Sequence, residues 1–212
     1  MKLILLGAPG AGKGTQSERI SARLGIPTIS TGNILREAIK NQTEIGLKAK
    51  TLIDAGQLVP DEVIIGIVNE RLRKPDCAKG YILDGVPRTI PQVHALEAEG
   101  IHVDHVISIE VDDATIENRM TGRRVCPSCG ASYHLVAHPP KKGGICDHCG
   151  SELKTRSDDA PETVKNRLKV FHAETEVLKD YFAKQNRLKL VDGNQPIDAV
   201  TAKIFEEIGV EA

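Results

Sequence analysis

The most informative segment of this chain is Gly7-Ala8-Pro9-Gly10-Ala11-Gly12-Lys13-Gly14-Thr15, which joins an apolar run over residues 2–6 to an amphipathic stretch over residues 12–24. Its glycines let backbone N–H groups turn inward around an anion, and the helix that follows directs its positive end at the same place. Lys13 is positioned to reach a phosphate, and the Thr15 hydroxyl is available to a metal or a phosphate oxygen. The general pattern has Ser or Thr directly after the lysine, whereas here Gly14 intervenes. The segment predicts a nucleotide-binding phosphate loop, and the alternative is a glycine-rich turn with a solvated lysine.

Strand-like and helical segments alternate from one end of the chain to the other. Predicted strands cover residues 2–6, 27–30, 81–84, 103–109 and 188–191. Predicted amphipathic helices cover residues 12–24, 61–73, 89–99, 112–121, 161–183 and 196–208. This order predicts an α/β protein, a phosphate-loop three-layer fold in which helices cover a five-stranded parallel sheet.

Two regions interrupt the alternation. Residues 30–59 carry helical signals without a strand and predict a small helical lobe. Residues 122–159 are rich in Cys, Gly, Pro and His, lack a helical period, and predict an inserted β-rich lobe. The core is therefore expected to comprise residues 1–29, 60–121 and 160–212.

Composition and charge argue against several classes of protein. The chain has 212 residues, 40% hydrophobic and 27% charged, which is ordinary for a globular protein with one large core. A net charge of −1 and an aromatic content of 3% offer neither the basic footprint nor the stacking platform of a nucleic-acid binder. No apolar stretch is long enough for a membrane span or a signal sequence. We therefore expect a cytoplasmic protein with neither a membrane nor a nucleic acid as partner.

Four of the five cysteines form two C-x-x-C pairs, Cys126 with Cys129 and Cys146 with Cys149. The spacing between the pairs is typical of zinc ribbons. Four thiolates complete a tetrahedron and leave no open position, so the predicted zinc would be structural and would replace the core that so small a lobe lacks. Free thiols, a redox pair or iron are the alternatives, and Cys77 lies outside the pattern.

A phosphate loop does not identify a reaction by itself, because GTPases and ATP-driven motors share it. The sequence has no Asn-Lys-x-Asp segment of the kind that reads guanine, and the chain is short for a motor. A zinc ribbon beside a nucleotide site leaves open one alternative from another class, an ATP-binding protein whose ribbon grips RNA or DNA.

Further segments resemble the adenylate kinase family, in the order in which that family has them. They are GAPGAGKGTQ from Gly7, Ser30-Thr31-Gly32 with Arg36, Gly56-Gln57-Leu58-Val59-Pro60-Asp61, Leu83-Asp84-Gly85-Val86-Pro87-Arg88-Thr89 with Gln92, Arg119 with Gly122-Arg123-Arg124, and the stretch from Arg156 to Arg167. The resemblance spans nearly the whole chain. One position departs from the family pattern, which has Phe where this chain has Val86, so the fit around a bound monophosphate is expected to differ.

The resemblance implies a five-stranded core, a monophosphate-binding lobe, a lid, and the reaction ATP + AMP ⇌ 2 ADP with Mg²⁺. It implies an ATP site at Gly10, Ala11, Gly12, Lys13, Gly14, Thr15, Arg119, Arg123, Ser132, Tyr133 and Gln195. It implies an AMP site at Thr31, Arg36, Gln57, Leu58, Val59, Gly85, Val86, Pro87, Arg88, Gln92, Arg156 and Arg167. The catalytic residues would be Lys13, Arg88, Arg123, Arg156 and Arg167. The nearest alternative is the same chemistry on UMP or CMP, or with GTP as donor.

Phosphoryl transfer needs alignment of the attacking and leaving oxygens and positive charge around a delocalised anion. Arginine suits this role because it is always charged and binds phosphate in a bidentate fork. Asp84 ends an apolar strand, where ligands of an open α/β sheet bind, and is expected to hold Mg²⁺ through water. We expect both lobes to close over the nucleotides and exclude water, in a protein that acts as a monomer.

Several of these residues also have a purely structural interpretation. An isolated arginine usually belongs to a solvated face, Asp84 could cap the turn at Gly85, and Thr31 could be the N-cap of the next helix. Asp158 and Asp159 are predicted to form a solvated turn rather than to tie the lid to the core.

Overall fold

The computed structural model describes residues 1–211. Its strands are β1 (Lys2–Leu6), β2 (Thr28–Ser30), β3 (Tyr81–Asp84), β4 (His105–Glu110), β5 (Arg123–Val125), β6 (Ser132–His134) and β7 (Leu188–Asp192). Its α-helices are α1 (Lys13–Leu24), α2 (Thr31–Lys40), α3 (Glu44–Asp54), α4 (Asp61–Leu72), α5 (Ile90–Ala98), α6 (Asp113–Gly122), α7 (Pro161–Val170), α8 (Leu178–Ala183) and α9 (Ile197–Glu207).

Five strands in the described part of the chain form a parallel sheet in the order β2-β3-β1-β4-β7. The predicted α/β fold is confirmed. Leu5 of β1 and Ser30 of β2 both lie opposite Asp84 of β3, so the carboxyl ends of these three strands meet at one edge. Ligands of open α/β sheets bind in the crevice outside this edge, which is where the loop after β1 lies.

Both faces of the sheet are buried at its inner strands β3, β1 and β4, as their continuous apolar runs predict. Alternate residues of β1 point to opposite faces. Ile4 and Leu6 belong to an apolar cluster that includes residues of α4, α5 and α8. Leu3 and Leu5 belong to a second cluster with residues of α1 and α9. The sheet with its two helical layers therefore forms the core from which the lobes extend.

The helical lobe consists of α2 and α3, which pack against each other, and it contains no strand. The predicted β-rich lobe at 122–159, called the lid below, carries the antiparallel pair β5 and β6, with short bridges joining Val125 to Lys154 and Ile145 to Glu152. Both interruptions of the predicted alternation therefore have the expected kind of structure.

The predicted helix over residues 161–183 is not continuous. Helix α7 ends at Val170, a wider π-type turn covers Phe171–Thr175, and α8 begins at Leu178. The side chain of Thr175 is buried, and its Oγ1 donates a 2.8 Å hydrogen bond to the carbonyl oxygen of Arg88. The turn thereby joins this helical segment to the loop after β3.

Within residues 1–211, none of the helices combines the length and the apolar character needed to cross a membrane.

Candidate active site

The loop after β1 adopts the conformation that its glycines predict. Gly7, Gly10 and Gly12 have φ angles of 138°, 88° and 103°, which side-chain-bearing residues rarely adopt. A Cβ on Gly10 would lie 2.8 Å from Met120 Sδ, so this position also lacks room for a side chain. A Cβ on Gly14 would meet nothing within 4 Å, because the space beside the first turn of α1 is open.

Lys13 begins α1 and extends back over the loop. Its Nζ donates hydrogen bonds to the carbonyl oxygens of Gly7 (2.6 Å) and Ala8 (2.9 Å). Burial lowers the pKa of Lys13 to about 8, the negative charge of Asp84 opposes this shift, and nearby arginines beginning with Arg88 add to it. A bound polyanion would reverse the shift, because negative charge favours the protonated amine.

The carboxyl edge of the sheet holds Asp84 beside the start of α2. Thr31 is buried, and its Oγ1 donates a 3.0 Å hydrogen bond to the carbonyl oxygen of Gly85. The N-cap of α2 is Ser30, whose Oγ accepts from the backbone N–H of Asn33 at 3.4 Å. The N-cap interpretation of Thr31 was therefore wrong, because the helix begins one residue earlier than that interpretation requires.

Arg88 follows the same edge and is half-buried. Its Nε donates a 2.8 Å hydrogen bond to the carbonyl oxygen of Gly85. Burial lowers the pKa of Arg88, and Asp84 opposes that shift by attracting its charge. The backbone N–H of Arg88 donates to Gln92 Oε1 at 2.7 Å, and Gln92 Nε2 in turn donates to Asp61 Oδ1 at 2.7 Å. Asp61 thereby joins the site, although the sequence marked it only as the last residue of a motif.

Three arginines meet two aspartates where the lid joins the core. Arg123 Nε donates to Asp159 Oδ2 at 2.8 Å, and Arg156 Nε donates to Asp158 Oδ1 at 2.7 Å. Arg167 Nη1 lies 3.0 Å from Asp158 Oδ2 and 3.5 Å from Asp159 Oδ1. These cations come from three separate chain segments, and the carboxylates hold them together.

Asp158 and Asp159 are each 5% exposed, so the predicted solvated turn was wrong. Burial alone would raise the pKa of Asp158, but Arg156 and Arg167 attract its charge and hold that pKa well below its usual range. One feature of the sequence pointed to burial of these acids: both lie between Arg156 and Arg167 of one motif. Its interpretation depended on where Arg123 would lie.

Arg36 of α2 extends the positive cluster from the helical lobe. It is hydrogen-bonded to Asn33 Oδ1. Burial lowers the pKa of Arg36, repulsion from Arg156 adds to that shift, and attraction to Asp158 opposes it. Arginine side chains from the helical lobe, the lid and the core therefore lie close together in one region.

A cleft of about 1460 Å³ runs between the core, the helical lobe and the lid. It is lined by every nucleotide-site residue predicted from the sequence except Val86. The Val86 side chain is fully buried in the apolar core, so the departure from the family pattern lies beneath the site and not on its surface.

The far end of the cleft is formed by α6, the loop after β7 and the lid. Arg119 Nη2 donates to the carbonyl oxygen of Gly193 at 2.9 Å, which ties α6 to that loop. Gln195 in the same loop donates from Nε2 to Asp192 Oδ2 at 2.8 Å. The hydroxyl of Tyr133 accepts a 2.8 Å hydrogen bond from the backbone N–H of Asp147, so its outer end belongs to the interior of the lid.

The helical lobe and the lid touch each other across the mouth of the cleft. Lys40 Nζ donates to the carbonyl oxygen of Pro127 at 3.1 Å, and Ser157 Oγ donates to Asp54 Oδ1 at 2.8 Å. The lobe also reaches α7, since Asn166 Nδ2 donates to the carbonyl oxygen of Ala55 at 2.6 Å.

The four paired cysteines come together at the end of the lid. The Sγ atoms of Cys126, Cys129, Cys146 and Cys149 all lie within 4.8 Å of one another. Tetrahedral zinc with Zn–S bonds of about 2.3 Å separates its sulfur ligands by roughly 3.8 Å, so the donor set and its size fit this ion. All four are free thiols, so no disulfide competes for them.

The two C-x-x-C turns have the same backbone. Gly130 N–H donates to the carbonyl oxygen of Cys126 at 3.0 Å, and Gly150 N–H donates to that of Cys146 at 2.9 Å. Both glycines have positive φ, 79° and 73°. Each turn therefore presents its two sulfurs from the same local geometry, as metal knuckles require.

Comparison with known proteins shows the family of this chain. The family model described as adenylate kinase matches residues 5–187. The adenylate kinase of Lachnospira eligens is 54% identical over 99% of this chain and 100% of its own. That of Carboxydothermus hydrogenoformans is 56% identical over 96% of this chain and 97% of its own. Because the match begins in the strand before the phosphate loop and continues through the lid to β7, the chain belongs to the adenylate kinase family, whose members transfer phosphoryl groups between nucleotides.

Proposed function

We propose that this chain transfers the γ-phosphoryl group of Mg·ATP to AMP and so produces two molecules of ADP. The observation that carries the proposal is the arrangement of the cleft. The phosphate loop lies on one side, the Arg88–Gln92 segment lies on the other, and arginines from three chain segments surround the space between them. Two nucleotide sites that face each other across positive charge are what transfer between phosphorylated substrates needs.

The two sides of the cleft have different roles in this proposal. ATP lies along the phosphate loop, with Lys13 at its β- and γ-phosphates and with Arg119, Ser132, Tyr133 and Gln195 around the nucleoside. AMP lies against Thr31, Arg36, the segment 57–59, Gly85, Pro87 and Arg88. Gln92 reads its base. The family resemblance and the position of these groups in one cleft support the assignment.

The arginine cluster supplies charge to the reacting centre. An oxygen of the AMP phosphate forms a bond to the γ-phosphorus as the bond from that phosphorus to the β–γ bridging oxygen breaks. Arg123, Arg156 and Arg167 face the negative charge that is spread over the transferred group. Because Asp158 and Asp159 already hold these guanidinium groups, little side-chain entropy is lost when phosphate arrives.

Asp84 and Thr15 are the oxygen donors best placed for Mg²⁺. Asp84 ends β3 beside Lys13, and Thr15 lies in the first turn of α1. A carboxylate acting through water and a hydroxyl suit an ion that gives up its hydration shell reluctantly. When bound, the ion would neutralise part of the phosphate charge.

The lobes are proposed to close over bound nucleotides. The mobile parts are the monophosphate lobe at 30–59 and the lid at 122–159, which move against a core of residues 1–29, 60–121 and 160–212. The contacts of Lys40 with Pro127 and of Ser157 with Asp54 support a closed arrangement. Closure excludes water, so that AMP and not water accepts the phosphoryl group.

The cysteine cluster is proposed to hold a structural zinc ion. Apart from the cysteines, the apolar cluster of the lid consists of Ala131, Tyr133 and Leu153. So small a core does not stabilise a lobe by itself, and four metal–thiolate bonds supply what it lacks.

The proposal is tested by a product assay. The protein is mixed with ATP and, separately, AMP, GMP, CMP or UMP, with and without Mg²⁺, and the nucleotides are resolved by chromatography. We expect rapid formation of ADP with AMP, and none without Mg²⁺. Lys13→Met should abolish turnover, whereas the matched variant Lys48→Met, on the exposed face of α3, should not change it.

Other outcomes of the same assay would change the assignment. Turnover of UMP or CMP in preference to AMP would move the substrate while keeping the mechanism. ATP binding or slow hydrolysis without transfer to any monophosphate would overturn the proposal, and salt-dependent binding of an oligonucleotide would then favour a nucleic-acid function.

A further inference from the structure

Asp61, the first residue of α4, is joined to α5 by two hydrogen bonds. Its Oδ1 accepts from Gln92 Nε2 at 2.7 Å, and its Oδ2 accepts from Thr89 Oγ1 at 3.0 Å. The other end of the Gln92 amide accepts from the backbone N–H of Arg88 at 2.7 Å. The amide is therefore held at both ends, by a carboxylate on one side and a peptide N–H on the other.

These two partners fix which way the amide points. A backbone N–H only donates, so the amide atom that faces Arg88 must be the oxygen. An ionised carboxylate only accepts, so the atom that faces Asp61 must be the nitrogen. A flipped Gln92 would set its NH₂ group against the N–H of Arg88 and its oxygen against the Asp61 carboxylate, losing both bonds. The network thus selects one orientation of two that have the same shape.

The fixed amide keeps hydrogen-bonding capacity toward the cleft. Gln92 is 1% exposed but lines the cleft. After these two bonds its oxygen retains one lone pair and its nitrogen retains one hydrogen. Gln92 therefore presents an acceptor and a donor side by side, in an order that Asp61 and Arg88 determine.

Adenine and guanine differ in this order along the edge that such an amide reads. Adenine has an amino donor at position 6 beside an acceptor at N1, whereas guanine has an acceptor at O6 beside an N–H donor at N1. An amide in one orientation pairs with the first pattern, and the flipped amide pairs with the second. The wrong base would leave buried polar groups of the site without hydrogen-bond partners, and such a mismatch lowers the affinity for that base strongly.

We propose that Asp61 is a positioning residue that makes the monophosphate site select adenine over guanine, by holding the Gln92 amide in one orientation. This inference rests on the proposed function, and it names a residue that determines the specificity of that same site. Asp61 lies behind Gln92 and does not line the cleft, so it acts on the base through Gln92 and not by direct contact.

The test is the variant Asp61→Asn. Asparagine fills the same space, but its amide can donate as well as accept, so in the variant only the N–H of Arg88 still opposes a flipped Gln92. We expect the ratio of kcat/KM for AMP to kcat/KM for GMP to fall about tenfold, the effect of losing one charge-assisted hydrogen bond. The change should lie in the KM of the monophosphate and leave the KM of ATP unaltered. Asp61→Ala should lower the ratio in the same direction.

A binding measurement gives a second readout. The dissociation constants of AMP and GMP, measured by isothermal titration calorimetry without ATP, should move toward each other in Asp61→Asn. Glu62→Gln, a neutralised exposed acid in the same turn of α4, is the matched control and should keep the wild-type ratio.

A merely structural role for Asp61 would impair AMP and GMP alike. An unchanged ratio in both Asp61 variants, with wild-type protein active on AMP, would therefore overturn this inference alone. Wild-type protein that phosphorylates no monophosphate would overturn the proposed function and this inference with it.

Discussion

Arg123 Nε donates a 2.8 Å hydrogen bond to Oδ2 of Asp159, and the pair joins the segment that enters the lid to the segment that leaves it. Arg123 is the first residue of β5, and Asp159 lies two residues before α7. The Asp159 side chain is fully enclosed. Because a buried carboxylate needs its partners, the base of the lid depends on this pair for its shape.

Replacing Asp159 should therefore destabilise the protein. Asp159→Asn leaves Arg123 and Arg167 without part of their compensating charge, and we expect the free energy of unfolding to fall by about 3 kcal/mol. Urea denaturation at neutral pH measures this change. The control is Asp198→Asn, which breaks an ion pair with Arg19 in which Asp198 is 88% exposed; its effect should stay below about 1 kcal/mol. Equal effects of the two variants would contradict the assigned role.

The neighbouring Asp158 should make stability depend on pH. Its pKa is lower in the folded chain than the value of about 3.9 expected after unfolding. Its ion pairs therefore stabilise the fold fully above that pH, and the contribution is lost as the pH falls toward the folded pKa. We expect the slope of unfolding free energy against pH, between about pH 5 and 2, to be shallower in Asp158→Asn than in wild type. Parallel slopes would show that Asp158 does not carry this dependence.

Local patterns predicted the parts of the site that are local in the structure. The phosphate loop and the cysteine turns each lie within a few residues, and glycines such as Gly12 and Gly130 mark the positions where the backbone takes positive φ. The alternation of apolar runs with helical stretches likewise fixed the order of the layers. Nothing distant along the chain is needed to form the phosphate loop or either cysteine turn.

Features that depend on distant partners were not predictable in the same way. Whether Asp159 is solvated or buried depends on Arg123, which lies 36 residues away along the chain. The role of Asp61 depends on Gln92 in another helix, and the direction of the Val86 side chain depends on which helices cover β3. The π-type turn at Phe171–Thr175 is tied to Arg88 through Thr175, and no helical period reveals such a bond.

Val86 should contribute to the stability of the core and not to the binding of AMP. Its side chain is fully buried among apolar residues, so Val86→Ala should lower the free energy of unfolding by about 2 kcal/mol through lost contacts and a small cavity. The KM for AMP should change little, because the side chain does not line the cleft. Val177→Ala, at a position 47% exposed, is the matched control and should have little effect on stability. A large rise in the KM for AMP without loss of stability would place Val86 in the site instead.

Two buried cysteines, Cys146 and Cys77, should differ sharply in their importance for zinc binding. Cys146→Ser should abolish stoichiometric zinc binding, because serine is a poor replacement for a thiolate ligand. Cys77→Ser should bind zinc as wild type does, since Cys77 lies beside Arg71 and outside the cluster. Metal content by mass spectrometry and the thermal unfolding transition of each variant measure the outcome. Zinc retained by Cys146→Ser at wild-type stability would contradict a four-thiolate site.

The capture of ATP should depend on pH through Lys13. The pKa of Lys13 in the free protein is lowered to about 8, first by burial. Lys13 therefore loses its charge above that pH, and it is the group that meets the ATP phosphates in the proposed mechanism. ATP is itself fully ionised in that range. We expect kcat/KM for ATP to fall above about pH 8, since this parameter reports the ionisation of the free enzyme.

The value of kcat should fall less over the same range, because bound phosphates raise the pKa of Lys13 again. Lys13→Arg identifies the group, since guanidinium stays charged throughout this range. The variant should be slower at every pH because its fork does not reproduce the hydrogen bonds of Nζ to Gly7 and Ala8. Its kcat/KM profile should nevertheless be flat where the wild-type profile descends. A descending limb that persists in Lys13→Arg would assign the ionisation to another residue, and Lys13 would then act on bound ATP without controlling its capture.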